Sequence, residues 1–203
     1  MTIRKGEPWG AVAPLPTDGV IVRSDAEARA VLEAARLAKE PFPTLGLLGG
    51  DLCRTLGGLG DEARLRSAEA MTFPVDLGEV LLDGSLHLFV AHLVARRRLW
   101  RGRSLVAMNA AWLGDWNLGP KAHPDDGLLD VSEATLRASE LLEARRRARL
   151  GAHLPHPRIH TSRVPAVQIH FDVATPVRLD GVSVGSHVDV SVRIEPDAFS
   201  VVV

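Results

Sequence analysis

Apolar and polar positions alternate with two different periods along this chain, and the period changes where the architecture changes. Gly19-Val20-Ile21-Val22 is a short apolar run, read as a buried strand. From Asp25 to Lys39 the residues Ala28, Val31, Leu32 and Ala35 recur at every third or fourth position, the stripe of an amphipathic helix. Ser24 stands at its N-cap with Glu27 three residues on, a capping box, and Pro41 and Pro43 end it. Thr44–Leu48 is a second apolar strand, and Gly49-Gly50 turns from it into a short helix, Asp51–Leu56. Strand, helix, strand predicts one βαβ unit with parallel pairing and a right-handed crossover. Ligands favour the carboxyl ends of such strands, although glycine also serves many βα turns for steric reasons alone.

Beyond residue 64 the period shortens. Arg64–Met71 reads as a last short helix. Thr72–Val90 alternates with period two around Asp83-Gly84, a hairpin with an Asp-Gly turn. Val90–Leu99 fits either more strand or a helical turn, Ser104–Asn109 a buried strand, and Trp112 to Trp116 a loop around Gly114-Asp115. Ser132–Leu150 carries good helix formers, with Ser132 as cap and Gly151 as stop. Strands follow at 158–164, 166–171, 176–180, 187–194 and 199–203, with turns at Asp180-Gly181 and Glu195-Pro196-Asp197-Ala198. Residues 1–19, rich in Pro and Gly, are an extended lead-in. The fold class is therefore α/β plus all-β: a reduced N-terminal βαβ subdomain over 1–72, then a C-terminal β-sandwich over 73–203 that includes the helix 132–150.

Between the two helical regions lies Lys121-Ala122-His123-Pro124-Asp125-Asp126-Gly127-Leu128-Leu129-Asp130-Val131. Three carboxylates within six residues of a glycine turn suit a hard divalent cation, which takes carboxylate and carbonyl oxygens together. A hairpin turn with solvated acids accounts for the same spacing.

Composition narrows the classes. Apolar residues make up 46%, enough for a core, and the net charge of −1 gives no field to gather nucleic acid. Arg96-Arg97-Arg98, Arg101 and Arg103, and Arg145-Arg146-Arg147 with Arg149, are two basic clusters, either solvated faces or seats for an anionic headgroup. The single Cys53 allows no internal disulfide and fits a reducing compartment. No secretory leader pattern or membrane-length apolar run is seen. The expectation is a cytoplasmic protein, peripheral at a membrane where the Arg clusters meet lipid, with a homodimer through an exposed sheet edge.

The order of motifs is more specific. A Gly-rich turn with Asp51-Leu52-Cys53-Arg54-Thr55-Leu56-Gly57, then Val75-Asp76-Leu77-Gly78, Asn109 with Gly114, Asp125-Asp126-Gly127-Leu128-Leu129-Asp130-Val131 and Asp180-Gly181 resembles the bacterial diacylglycerol and lipid kinases, in the superfamily shared with sphingosine and NAD kinases. The resemblance is good from about residue 75 onward and weaker before it. It implies an ATP-binding α/β domain and a β-sandwich that carries a structural Mg2+ site and the catalytic base, with lipid in the cleft. By position, Asp126 matches the Mg2+-binding Asp, with the carbonyls of His123 and Leu128 beside it. Asp180 matches the general base that takes the proton of the lipid hydroxyl. Asp25, Gly49, Gly50, Asp51 and Asn109 fall on the nucleotide side. Asp125 is expected to stay solvated and Asp130 to face outward.

The departures concern the nucleotide. Where the family has Gly-Gly-Asp-Gly-Thr, this chain has Arg23-Ser24-Asp25-Ala26-Glu27, keeping only the Asp. Phosphate cradling needs amides at close approach, which Cβ atoms obstruct. The second motif has shrunk to Leu47-Leu48-Gly49-Gly50-Asp51, and Val182 stands where the family has Glu. The favoured reading is a lipid-kinase-like pseudo-enzyme that binds lipid or a partner, with Mg2+ as a structural ion and no intact ATP site. The alternative is an active ATP-dependent lipid kinase with Asp180 as base. A third is a zinc enzyme built from His153, His156, His160, His170 and His187, which would need three or four convergent ligands.

Overall fold

Ala11–Val12 (β1) and Val20–Val22 (β2) lead into a helix, Asp25–Ala38 (α1), and Leu45–Leu47 (β3) returns parallel to β2. This is the expected βαβ unit, seen in a computed structural model that describes residues 9–100, 102–136, 138–151, 154 and 156–203. The lead-in before Trp9, Arg101, His153 and the side chain of Arg145 lie outside the described residues. Ser24 Oγ accepts the Glu27 amide at 3.2 Å. Glu27 Oε2 in turn accepts the amide of Arg23 at 2.7 Å, one residue earlier than a standard capping box. Two short helices follow, Asp51–Thr55 (α2) and Glu62–Leu65 (α3). The helix expected at 64–71 stops at Leu65, because Met71 opens a long strand, Met71–Leu82 (β4), and exchanges both main-chain bonds with Val203 at 3.0 Å.

β4 turns at Asp83-Gly84 into Ser85–Phe89 (β5), with positive φ at both turn residues as a type I′ hairpin requires. The stretch 90–99 is part strand, His92–Ala95 (β6), and part tight 3₁₀ turn, starting at Arg98. Ser104–Met108 (β7) is the expected buried strand, and the expected Trp loop is a small hairpin, Trp112–Leu113 (β8) with Trp116–Asn117 (β9). Leu129–Ala134 (β10) overturns the helix start at Ser132. Ser132 pairs with Val106 on one side and Thr161 on the other, and two ladders outweigh helix propensity. The helix, Ala138–Ala148 (α4), is correspondingly shorter. Ile159–Val164 (β11) precedes two long strands, Ala166–Leu179 (β12) and Val182–Val202 (β13). Each joins two strands that the sequence separates. The turn expected at 195–198 is a bulge instead, and β13 continues along β4 on both sides of it.

The main sheet runs β1-β4-β13-β12-β6-β7-β10-β11, with β5 beside β4. The end of β13 pairs with β4 and also, in parallel, with β3, so the βαβ unit and the sandwich share one sheet. Register shifts after His170 in β12 and after Glu195 in β13 bend the long strands so that they serve both layers. Phe89, Leu93, Leu105, Leu129, Leu179 and Val190 are buried in the sandwich core. Gly78 faces Phe89 so closely that an added Cβ would come within 2.2 Å of the ring's edge. Gly78→Ala is therefore expected to destabilise by about 1–3 kcal/mol, seen as a lower urea midpoint with unchanged slope.

Candidate functional site

Two polar centres interrupt the apolar core. The first gathers Asp25 at the start of α1, Asp51 at the start of α2, His92 at the start of β6 and Asp180 in the β12–β13 turn. Candidate metal-ligand atoms of Asp25, Asp51 and His92 lie within 4.8 Å of one another. Asp25 seats its carboxylate on the N-terminus of α2, accepting the Asp51 amide at 2.6 Å and the Leu52 amide at 3.1 Å. Asp51 accepts the Gly114 amide at 3.0 Å and pairs with His92 Nε2 at 2.9 Å. Asp180 accepts three successive amides, Val90 at 3.0 Å, Ala91 at 2.9 Å and His92 at 3.1 Å.

These contacts set the protonation behaviour. Burial, with Asp180 next in weight, pushes Asp25 up to about 6 despite its two amides. Burial also raises Asp180, with His92 and the three amides opposing it. For Asp51 burial is outweighed by the His92 hydrogen bond and the Gly114 amide, and its pKa is lowered. His92 is raised: burial pulls it down, but Asp51, Asp180 and Asp25 together outweigh that.

The structure thus brings Asp25, Gly49, Gly50, Asp51 and Asp180 to one place. The glycines serve packing: a Cβ on Gly49 would meet the Arg23 carbonyl, and one on Gly50 the Asp25 carboxylate. Asn109 stands apart from this centre's side chains. It is fully buried, and its Nδ2 donates to the carbonyls of Val90 at 2.9 Å and Asp76 at 2.8 Å, tying the first centre to the second.

The second centre is the turn 123–128 with Asp76 of β4. Asp76 is completely buried; its Oδ2 accepts the Gly127 amide at 2.7 Å and its Oδ1 the Asp197 amide at 2.8 Å. Asp126 Oδ1 accepts the Leu128 amide at 3.0 Å, and Oδ2 pairs with Arg163, whose Nε donates to Asp130 at 2.8 Å. Asp130 is thus tied down at the strand edge. Asp125, expected in solvent, is buried at 3% exposure, because Asp76 holds the turn on both sides of it, its amide donating to the Pro124 carbonyl at 2.7 Å and its carboxylate accepting the Gly127 amide, while the Trp9 ring packs on His123. Burial and then Asp76 push Asp125 up to about 6; burial, opposed by the Gly127 amide, brings Asp76 to about 6 as well.

His92 carries a signal the sequence reading passed over, and Asp76, quoted there only within Val75-Asp76-Leu77-Gly78, carries the same one. His92 sits in Val90-Ala91-His92-Leu93-Val94, and Asp76 in Phe73-Pro74-Val75-Asp76-Leu77. A titratable group inside an apolar run must find a buried partner. The zinc reading finds no support among the described residues: His170 pairs with Asp189 and His187 with Asp83, and neither these nor His156 and His160 share a cluster of three ligands.

Residues 72–203 match the family model of the YegS C-terminal NAD kinase beta sandwich-like domain. No curated protein sequence matches the chain. Among solved structures it is similar to three from Bacillus anthracis str. Sterne that bear the name diacylglycerol kinase, provisionally in two of them. They share 16%, 16% and 18% sequence identity and superpose with TM-scores of 0.69, 0.66 and 0.64. In each case 91% of this chain is covered, against 77%, 77% and 75% of the other. At that identity they speak for the fold.

Proposed function

The chain belongs to the family of the YegS C-terminal NAD kinase beta sandwich-like domain, and from that premise we propose that it is a lipid-kinase-like module that binds lipid without an ATP site of its own. The observation that carries this reading is the seat of Asp25. A helix N-terminus at a Gly-rich turn is where a nucleotide phosphate would dock. Here a carboxylate of the chain itself takes the first two amides of α2. Glu27 takes the Arg23 amide at the neighbouring βα turn in the same way. A triphosphate would have to displace two anions already in place.

The lipid side of the reading rests on a cavity of about 70 Å³ between the sheet and α4. Trp100, Val106, Trp116, Leu118, Leu136 and Ala148 line it, and its surface is almost wholly apolar. Arg96 stacks 5.0 Å from the Trp100 ring, and Arg146, Arg147 and Arg149 are exposed on and after α4. At that volume, well below the several hundred Å³ of a pocket that encloses a ligand, the cavity takes only the end of an acyl chain, with guanidinium groups nearby for an anionic headgroup. Among the described residues no helix is long and apolar enough to cross a membrane, and we place the contact at the headgroup layer.

Calorimetric titration with Mg-ATP is expected to show no saturable binding in the micromolar range, while vesicles containing anionic phospholipid co-sediment the protein. Micromolar ATP binding would overturn the reading. The Mg2+ that the resemblance implies has a chemically suitable place in the second centre, whose oxygen-only acids fit a hard cation.

A further inference from the structure

The cavity beneath α4 is too small to enclose an acyl chain, so part of its wall must yield before a whole chain can enter. The sheet side cannot. Val106 belongs to β7 and Ser132 to β10, and each of these strands is bonded to a neighbour on both sides. The opposite wall is different. Trp116 stands in β9 and Leu118 just after it. β8 and β9 form a two-stranded sheet of their own, two residues a side, and among the described residues pair with no strand of the main sheet. A ribbon of that size has little stability by itself, so what it touches sets its position. α4 adds Ala148 to the cavity, and its end rests on the same ribbon, where Gly151 lies against Asn117.

What holds the ribbon is one face of α2. Asp51, Arg54 and Thr55 are three and four residues apart and share that face, while Leu52 and Cys53 are buried in the core. Arg54 places its guanidinium 3.5 Å from the centroid of the Trp112 ring, and its Nη1 donates to the Gly114 carbonyl at 2.8 Å. Asp51 accepts the Gly114 amide at 3.0 Å, so both main-chain groups at the tip of the ribbon are gripped. At its base, Thr55 Oγ1 accepts the Ala111 amide at 3.0 Å, and the Gly119 amide donates to the Ala111 carbonyl at 3.1 Å. The base is tied twice and sits close to the sheet. The tip is held by an exposed Arg and a half-buried Asp, where water competes for each bond.

We propose that the β8–β9 hairpin is a flap over the acyl cavity, hinged at Ala111 and Gly119 and latched shut on α2 by Arg54, and that release of the latch admits an acyl chain. The proposal rests on the lipid reading of this cavity and adds its regulation. With the latch closed, Trp116 and Leu118 keep the apolar pocket shut; with it open, they swing away from the sheet and the end of α4 loses its support.

The test is calorimetric titration of the full chain with dihexanoyl phosphatidylglycerol, an anionic phospholipid, kept below its micelle concentration. A ligand that binds only the open flap has its apparent affinity reduced by the fraction that is open. Arg54→Ala is therefore expected to bind about tenfold tighter than wild type. The direction is decisive, because loss of a cation would weaken a merely electrostatic association with an anionic lipid. Hydrogen exchange of the amides at 112–117 should quicken in Arg54→Ala, while that of β7 and β10 should not. Binding equal to or weaker than wild type overturns the flap and leaves the lipid reading standing. Unchanged exchange at 112–117 also overturns it, since Arg54 would then latch nothing. If neither wild type nor Arg54→Ala binds the lipid, the reading of the cavity fails and the flap fails with it. Should Arg54→Ala not fold, Trp112→Ala, which removes the same stack from the other side, decides on the same terms.

Discussion

Asp180→Ala is expected to lower the stability of the protein by about 3 kcal/mol or more, and Tm by about 6 °C or more. The turn Asp180-Gly181 has φ values of 49° and 80°, a left-handed pair that Asp tolerates better than most residues. The Asp180 amide donates to the His92 carbonyl at 3.0 Å, and its carboxylate takes the amides of Val90, Ala91 and His92. One side chain therefore satisfies every donor in the step from β5 to β6. Alanine leaves three buried N–H groups without acceptors, each costing about 1–3 kcal/mol. Relief of repulsion with Asp25 offsets part of that loss. Asp180→Asn keeps the turn and one acceptor oxygen, and should lose clearly less. Urea unfolding followed by circular dichroism checks both variants. If Asp180→Ala unfolds within about 0.5 kcal/mol of wild type, the carboxylate is no anchor, and a role limited to proton transfer regains its place.

That result bears on what the turn at Asp180-Gly181 contributes to the fold itself. The Asp-Gly pair is legible in the sequence because a tight hairpin demands it, and so is the Asp-Gly turn at 83–84. The βαβ unit was equally legible, since its helix stripe and caps are local. What was not legible depends on partners far away in the chain. Ser132 looks like a helix cap until β7 and β11 are seen on either side of it. Glu195–Ala198 looks like a turn until Asp76, far earlier in the chain, is found accepting the Asp197 amide. Asp125 and Asp126 are alike as letters; only Arg163, brought alongside by the β10–β11 ladder, tells them apart. The sequence could show that the glycines of the first nucleotide motif are absent. It could not show that the Asp25 carboxylate would accept the first two amides of α2, because that requires the parallel pairing that sets α1 beside α2.

In chelator, the protein is expected to be more stable near pH 5 than near pH 8, by at least about 3 °C in Tm. Asp25 is the clearest contributor. Its pKa rises from the ordinary 3.8 to about 6 on folding, so the folded state holds its proton more tightly than the unfolded chain does. A raised carboxylate stabilises while protonated, below about 4, and that contribution is lost as pH climbs through about 6. A shift of this size is worth about 3 kcal/mol in full, and about half of it remains near pH 5. Asp76 and Asp125 act in the same direction when no cation is bound. His92, also raised, contributes stability that disappears as pH rises through its folded value. Asp51 and Asp83 are lowered and act the other way, but their contribution is lost only as pH falls below the ordinary Asp range, outside this window. His123, lowered chiefly by burial, also acts the other way and does so inside the window, offsetting part of the gain from the acids. Most folded proteins lose stability on acidification because their carboxylates are paired with cations; here Glu79 is held by Arg36 and Arg193 in that way, but Asp25 lies near Asp180 and Asp125 near Asp76. Asp25→Asn, which keeps an oxygen for the α2 amides, should flatten the profile and raise Tm near pH 8 towards its value at pH 5. A wild-type Tm that is level or rising between those two pH values would show that Asp25 is charged in the folded protein at no cost, and the argument that its carboxylate is an internal stand-in for phosphate would then have to explain what neutralises it.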